Sequence, residues 1–159
     1  MSYFREEQRF GWWILAILAI ILLPIPVGLL FVALLYPGPI VFLVIVILVL
    51  LLLLLLFWLA KLVVDVDESG VHASFHFLWP TRHIRFEDIK RATATRYNSL
   101  LDYGGWGVRL TPKGWAFNTG GSEGVLIETV KGKRIMIGSH RAMELKEAIA
   151  RASAARTSR

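Results

Sequence analysis

The sequence predicts a membrane-spanning α-helical hairpin followed by a small α+β, mainly β domain. That domain is expected to be a strongly bent antiparallel sheet or open barrel of about seven strands, capped by a C-terminal helix. Three observations carry this expectation. No charged side chain lies between Gly11 and Lys61, and Pro37-Gly38-Pro39 divides that stretch into two apolar runs. From Val63 the apolar residues switch to period two, and after Ser139 they switch again to a period of about 3.6.

Composition sets the bounds. The chain has 159 residues, 55% of them hydrophobic, with mean hydropathy +0.56 and formal net charge +6. Such apolarity in a short chain fits membrane segments plus one small domain. Beyond the first 64 residues only 95 remain, enough for a modest core and too few for a large multidomain enzyme. The absence of cysteine rules out a disulfide scaffold, a thiol nucleophile and a thiolate metal site.

Residues 1–11 read as a polar cytoplasmic head and residues 12–61 as a two-helix hairpin, its spans being 12–36 and 40–60. Backbone amides in hydrocarbon must bond within their own segment, and about 20 apolar residues cross a bilayer as a helix. The first run, Trp12 to Tyr36, has 25 residues, longer than a signal-peptide core, and is expected to be retained. Trp12, Trp13, Trp58 and Lys61 read as interfacial anchors. Pro24 and Pro26 remove backbone donors near the middle of the first span and predict a kink or local unwinding. Neither span carries Asp, Glu, Lys, Arg, His, Asn, Gln, Ser or Thr, so no such side chain could coordinate an ion at depth. Arg5 and Arg9 flank one end and Lys61 the other, which places both termini in the cytoplasm by the positive-inside rule.

The domain is expected over 62–155, with a basic tail at 156–159. Val63–Asp67 reads as a strand and Glu68-Ser69-Gly70 as a turn. Val71–Trp79 reads as a second strand with Val71, Ala73, Phe75, Phe77 and Trp79 on its core face, stopped by Pro80. A short strand follows over His83–Phe86, then a tight connection and a strand from Lys90 to Tyr97. Asn98–Gly105 reads as a loop. Strands are expected at Trp106–Thr111, continuing past Pro112-Lys113-Gly114 into Trp115–Asn118, and then at Val125–Val130 and Arg134–Gly138. Ser139 caps a helix whose buried face is Ala142, Leu145, Ala148, Ile149 and Ala152.

Several short motifs share this order: Tyr103-Gly104-Gly105-Trp106-Gly107-Val108-Arg109, Gly114-Trp115-Ala116-Phe117, Gly124-Val125-Leu126-Ile127, Gly132-Lys133-Arg134 and Ile137-Gly138-Ser139. With two preceding helices, they resemble the small bacterial two-transmembrane-helix proteins that carry a pleckstrin-homology-like domain, a family of unknown function. The resemblance covers roughly Val63 to Ala150. It implies seven strands, a capping helix and an interaction or scaffolding role without catalytic residues. Phosphoinositide recognition does not carry over, because the first hairpin turn here, Asp67-Glu68-Ser69-Gly70, is acidic where phosphates need cationic donors.

Trp106, Arg109, Trp115 and Phe117 are the candidate binding residues, an aromatic and cationic set suited to a peptide or ligand. The competing reading makes Trp106 and the neighbouring glycines part of the core and its bulge. His72 and His76 share a strand face, but four residues of strand separate them by about 13 Å, too far for one ion. His83 and His140 could join either only through folding. No metal and no cofactor is expected, and the glycine-rich segments lack phosphate-loop spacing. Arg82, Arg85, Lys90, Arg91 and Arg96 form a basic middle segment suited to anionic lipid headgroups. Nucleic acid is not expected as a partner.

The expected function is that of a cell-membrane protein displaying an interaction domain, a scaffold or assembly factor that binds a protein partner or the membrane surface. The alternative is an accessory subunit of a membrane complex acting through the kinked hairpin. Catalysis would need Asp102, Arg109 and His140 brought together by folding, and no spacing supports that trio.

Overall fold

The computed structural model describes residues 2–36, 40–76 and 79–157. The chain divides into two compact units: Phe10–Ala60, and the chain before and after it, through Arg9 and from Lys61.

The first unit is a helical hairpin of α1 (Trp12–Leu22), α2 (Pro24–Leu35) and α3 (Ile40–Leu59). Helices α1 and α2 form one 24-residue apolar run, long and apolar enough to cross a membrane, as is the 20-residue α3. Among the described residues of these helices only Ile14 and Leu43 are buried. An all-round apolar helix with almost no protein cover is not built for water. The expected disturbance at the prolines takes the form of a one-residue break. Pro24 and Pro26 cannot donate, so the ladder lapses around Leu23, which keeps right-handed helical dihedrals (φ −57°, ψ −39°). Leu23 still bonds Ala19 O at 2.8 Å, while Val27 N reaches Leu23 O only at 3.4 Å. Phe10 and Phe57 pack at 5.6 Å, joining the start of one run to the end of the other. The Pro37-Gly38-Pro39 link lies outside the described residues.

The second unit holds two open sheets. One is antiparallel in the order β1-β2-β3-β4: β1 (Ser2–Arg9), β2 (Lys61–Asp67), β3 (Gly70–Phe75) and β4 (Trp79–Arg85). The other has the order β5-β8-β9-β7-β6: β5 (Ile89–Arg96), β6 (Gly107–Thr111), β7 (Gly114–Asn118), β8 (Glu123–Thr129) and β9 (Arg134–Gly138). The expectation of about seven antiparallel strands in a bent sheet or open barrel is corrected on three counts: nine strands form among the described residues, they lie in two open sheets, and β7 pairs with β9 in parallel. Trp115, Ala116 and Phe117 lie beside Ile135, Met136 and Ile137 in that register.

Strand β1 corrects the reading of residues 1–11 as a separate polar head. Phe4, Glu6 and Gln8 point inward and are buried, while Arg5, Glu7 and Arg9 point out. Two of the three inward residues are polar, so an apolar alternation was never there to be seen. Each is satisfied instead. Glu6 accepts from Ser139 Oγ and from the His140 amide at 3.0 Å, next to the start of α5 (Ala142–Thr157). Gln8 donates to Gly138 O at 2.9 Å and accepts from Thr119 Oγ1 at 3.0 Å. Ser139 Oγ also accepts from Arg141 N at 3.0 Å, so the serine expected as a cap holds the turn just before α5, rather than an amide of the helix, and is itself held by Glu6. Because Arg9 pairs with Lys61 across β1 and β2, the chain leaves this unit and returns to it between two neighbouring strands.

Further differences have local causes. Trp79 begins β4 and is 46% exposed, rather than ending β3 on the core face. Phe77 lies outside the described residues. Pro80 sits within β4 instead of stopping a strand, which an edge strand tolerates because its outer donors are unused. The Asn98–Gly105 loop contains a short helix, α4 (Ser99–Tyr103). The Asn98 side chain accepts from Leu100 N and Leu101 N, and Gly104 closes the helix in the left-handed conformation (φ 70°).

The main core joins Leu62, Val64, Val66, Val71, Ala73 and Phe75 of the first sheet to Phe117, Val125, Ile127 and Ile137 of the second. Helix α5 lies on β1, β2, β5 and β8 and buries Ala142, Leu145, Ala148, Ile149 and Ala152, the five residues its periodicity marks. A smaller cluster of Tyr97, Tyr103, Ala116 and Met136, with Leu126, covers part of the opposite face of the second sheet.

Candidate functional site

Strand alternation decides what the candidate residues can do together. Trp115 lies opposite Leu110 and Phe117 opposite Val108, so these four share one face of the β6–β7 hairpin. Arg109 lies opposite Ala116, on the other face. Its Nε donates to Trp106 O at 3.0 Å, and Trp106 itself is half-buried just before β6. Phe117 is fully buried. The four candidates are therefore not gathered in one place: Phe117 belongs to the core, the exposed Arg109 lies on the other face, Trp106 is half-buried before β6, and Trp115 is half-buried with its ring 6.4 Å from that of Phe117.

The residues that do join Trp115 come from the other sheet. Trp79, at the start of β4, packs 6.1 Å from the Trp115 ring, and the Arg82 guanidinium lies 5.6 Å from the same ring. Arg82 is opposite Ala73 on the core side of β4, the free edge of its sheet. An inward charge and a proline on an edge strand both oppose further pairing, in keeping with the two sheets staying open. Arg82 stands in the basic segment noted above, but its meeting with Trp115 depends on a contact between sheets that no spacing reveals.

The surface continues around the turns of the second sheet. Leu110, 67% exposed, stands beside Trp115, with Lys113, Lys133 and Arg134 lining the same shallow depression. A neighbouring depression is lined by Arg82, His83, Asp88, Lys131 and Lys133, so Lys133 belongs to both. Lys113 is held by Asp102 at 2.6 Å and Arg134 by Glu128 at 3.4 Å. Among the described residues no carboxylate pairs with Arg82, Lys131 or Lys133.

The histidines arrange differently from the sequence pairing of His72 with His76. His72 faces His83 across β3 and β4, the rings stacked at 4.3 Å and 2° apart from parallel. Ser69 Oγ donates to Asp67 Oδ1 at 2.6 Å and lies 2.9 Å from His72 Nε2. Its one proton thus goes to Asp67, and His72 is the donor, facing Ser69 Oγ and, at 3.2 Å, Asp67 Oδ2. Hydroxyl and carboxylate contact the same ring nitrogen, so the group is no proton relay, which needs them on opposite nitrogens. No group of three or more His, Cys, Asp or Glu among the described residues is placed to hold a metal ion.

Burial pushes the Asp67 carboxyl up, but hydrogen bonds from the Ser69 side chain and amide, with His72 and the Gly70 amide, outweigh it and bring the value down to about 2 from 3.8. A folded value below the unfolded one stabilises above pH 3.8, and the gain disappears as pH falls through about 2. Asp67→Asn is expected to remove this acid-dependent step from unfolding midpoints measured across that window. The side chain is 38% exposed, so the step is under about 1 kcal/mol.

The other sequence candidates are committed elsewhere. Asp102 takes Lys113 Nζ and the Asn98 amide, which hold its carboxyl below the usual range. The His140 amide goes to Glu6. Asp102, Arg109 and His140 thus have separate partners. Among the anchors, Trp12 and Trp58 are exposed at 80% and 56%, and Trp13 is also exposed. Lys61 is the first residue of β2 and bonds Glu7 at 2.8 Å, the main reason the Glu7 carboxyl falls to about 2.

No family model, curated protein or solved structure matches the chain.

Proposed function

We propose that this is an integral membrane protein that displays a pleckstrin-homology-like interaction domain at the cytoplasmic face, as a non-catalytic scaffold or assembly factor. The pairing of Arg9 with Lys61 carries the reading. If the two apolar runs are spans, that pairing returns the chain to the side from which it left, and the cations Arg5, Arg9 and Lys61 select the cytoplasm. The apolar unit is then an insertion between two neighbouring strands of the domain, so both its ends enter the same sheet. The domain type draws support from the strand arrangement. With the β6–β7 hairpin set aside, seven strands and the C-terminal helix remain, all paired antiparallel.

The absence of native cysteine makes the test direct. Ser2→Cys and Ser158→Cys variants should both resist a membrane-impermeant maleimide in intact cells and both react after permeabilisation; labelling of only one end in intact cells would sink the topology. Purification in mild detergent should then yield a stable complex with a protein partner, and a chain that always runs alone counts against scaffolding. The break at Leu23 supports a second reading, an accessory role of the hairpin. It gains if replacing Pro24 and Pro26 with leucine abolishes cellular activity while the domain still holds its partner.

A further inference from the structure

We infer that the Trp79–Arg82–Trp115 surface, with Lys131 and Lys133, docks onto anionic phospholipid headgroups of the bilayer in which the hairpin sits. The inference rests on the reading of Phe10–Ala60 as spanning and names the ligand of the surface described above.

Three observations favour lipid. The first is chemical: an exposed Trp79, a half-buried Trp115 and an exposed Leu110 stand beside three cations that have no carboxylate partner among the described residues. Indole rings settle at headgroup depth with the ring toward the acyl chains, and lysine and arginine gain from phosphates in the same layer. The second is shape. The cations border two shallow, open depressions that meet at Lys133, rather than an enclosed pocket. A broad, open basic surface suits a layer of headgroups. The third is position within the sheet. Trp79 pairs with Phe75, Phe75 with Leu62, and the His76 amide bonds Lys61 O at 2.9 Å. Trp79 therefore lies at the end of the sheet where Arg9 and Lys61 continue into the apolar unit. A tether this short raises the local concentration of lipid so far that weak contacts suffice. The stacked Arg82 is held over the Trp115 ring and loses little freedom on meeting a phosphate.

The surface differs from the β2–β3 turn, where Asp67 and Glu68 would repel phosphate.

The test uses the full chain in nanodiscs of phosphatidylcholine alone and of phosphatidylcholine with phosphatidylserine, read by amide hydrogen exchange. The expected result is slower exchange over residues 79–85, 110–115 and 130–134 in the anionic discs only, reversed by salt. Inorganic phosphate in solution should not reproduce it. The R82E/K131E/K133E variant should lose roughly tenfold or more of that protection, while exchange in the core strands stays as in the native chain in neutral discs. Equal exchange in both discs by properly inserted chain overturns the docking alone, as does protection by free phosphate or protection that appears only when a protein partner is added. Chain that stays out of the discs overturns the docking and the spanning reading together.

Discussion

Replacing Glu6 with alanine and Gln8 with leucine together is expected to release β1 and destabilise the domain by about 2 to 5 kcal/mol. Both side chains are buried, and their partners are buried or half-buried groups: Ser139 Oγ, whose proton has Glu6 as its acceptor, the His140 amide, Gly138 O and Thr119 Oγ1. Losing one partner leaves the other unsatisfied, which costs more than the bond itself contributed. The Glu6 carboxylate also lies at the start of α5, where negative charge is favoured by the exposed amides. Thermal unfolding in detergent should show a lower midpoint, and amide exchange should rise first in residues 2–9 and 138–145. Arg5→Ala, which removes only an exposed pair with Glu7 and leaves the Arg5 carbonyl to accept from Arg141, should change stability by under about 1 kcal/mol. Unchanged exchange at Gly138–His140 in the double variant would show that β1 is not what holds this corner.

The same contacts bear on assembly. Strand β1 is synthesised first, but its neighbour β2 begins only after α3, and Gln8 and Glu6 find their partners beyond residue 118. The domain cannot close until the chain has passed through the helical hairpin and come back. Hairpin and domain are therefore coupled by connectivity.

What could be read from the sequence follows from which residues face inward. The helices are legible because every position of the two runs is apolar, and α5 because five apolar residues recur on one face. Val71, Ala73 and Phe75 announce β3 in the same way. Strand β1 stayed hidden because its inward residues are Glu6 and Gln8, satisfied by atoms more than a hundred positions away. Trp79 seemed to extend β3 because two-residue alternation cannot show where a hairpin turns. The parallel pair of β7 and β9 depends on β8 lying between them in sequence, a matter of topology rather than pattern. The candidate site divides likewise. Trp115 was legible as an aromatic beside a glycine turn. Its true neighbours, Trp79 and Arg82, belong to another sheet, while Arg109 was assigned to it on proximity in sequence and lies on the opposite face of its strand.

Gly114→Ala is expected to be the most damaging single change in the second sheet, costing about 3 kcal/mol or more. Two effects combine. Gly114 has φ +114°, a conformation that side chains resist, and a Cβ there would lie 2.1 Å from Arg134 O and 2.9 Å from Arg134 C. Both obstacles are backbone of β9, so no rotamer change relieves them; β7 must move off β9 or the turn before it must open. Gly132 separates the two effects. It also has positive φ, +75°, but its Cβ would meet nothing within 4 Å, and alanine there should cost only about 1 kcal/mol. Gly28, inside α2 with open space around it, should accept alanine without loss. Unfolding midpoints of the three variants, measured in one detergent, should therefore fall in the order Gly114 far below Gly132, and Gly132 below Gly28. Equal shifts for Gly114→Ala and Gly132→Ala would mean that β7 does not lie against Arg134, and the parallel register that presents Trp115 to Trp79 and Arg82 would have to be given up.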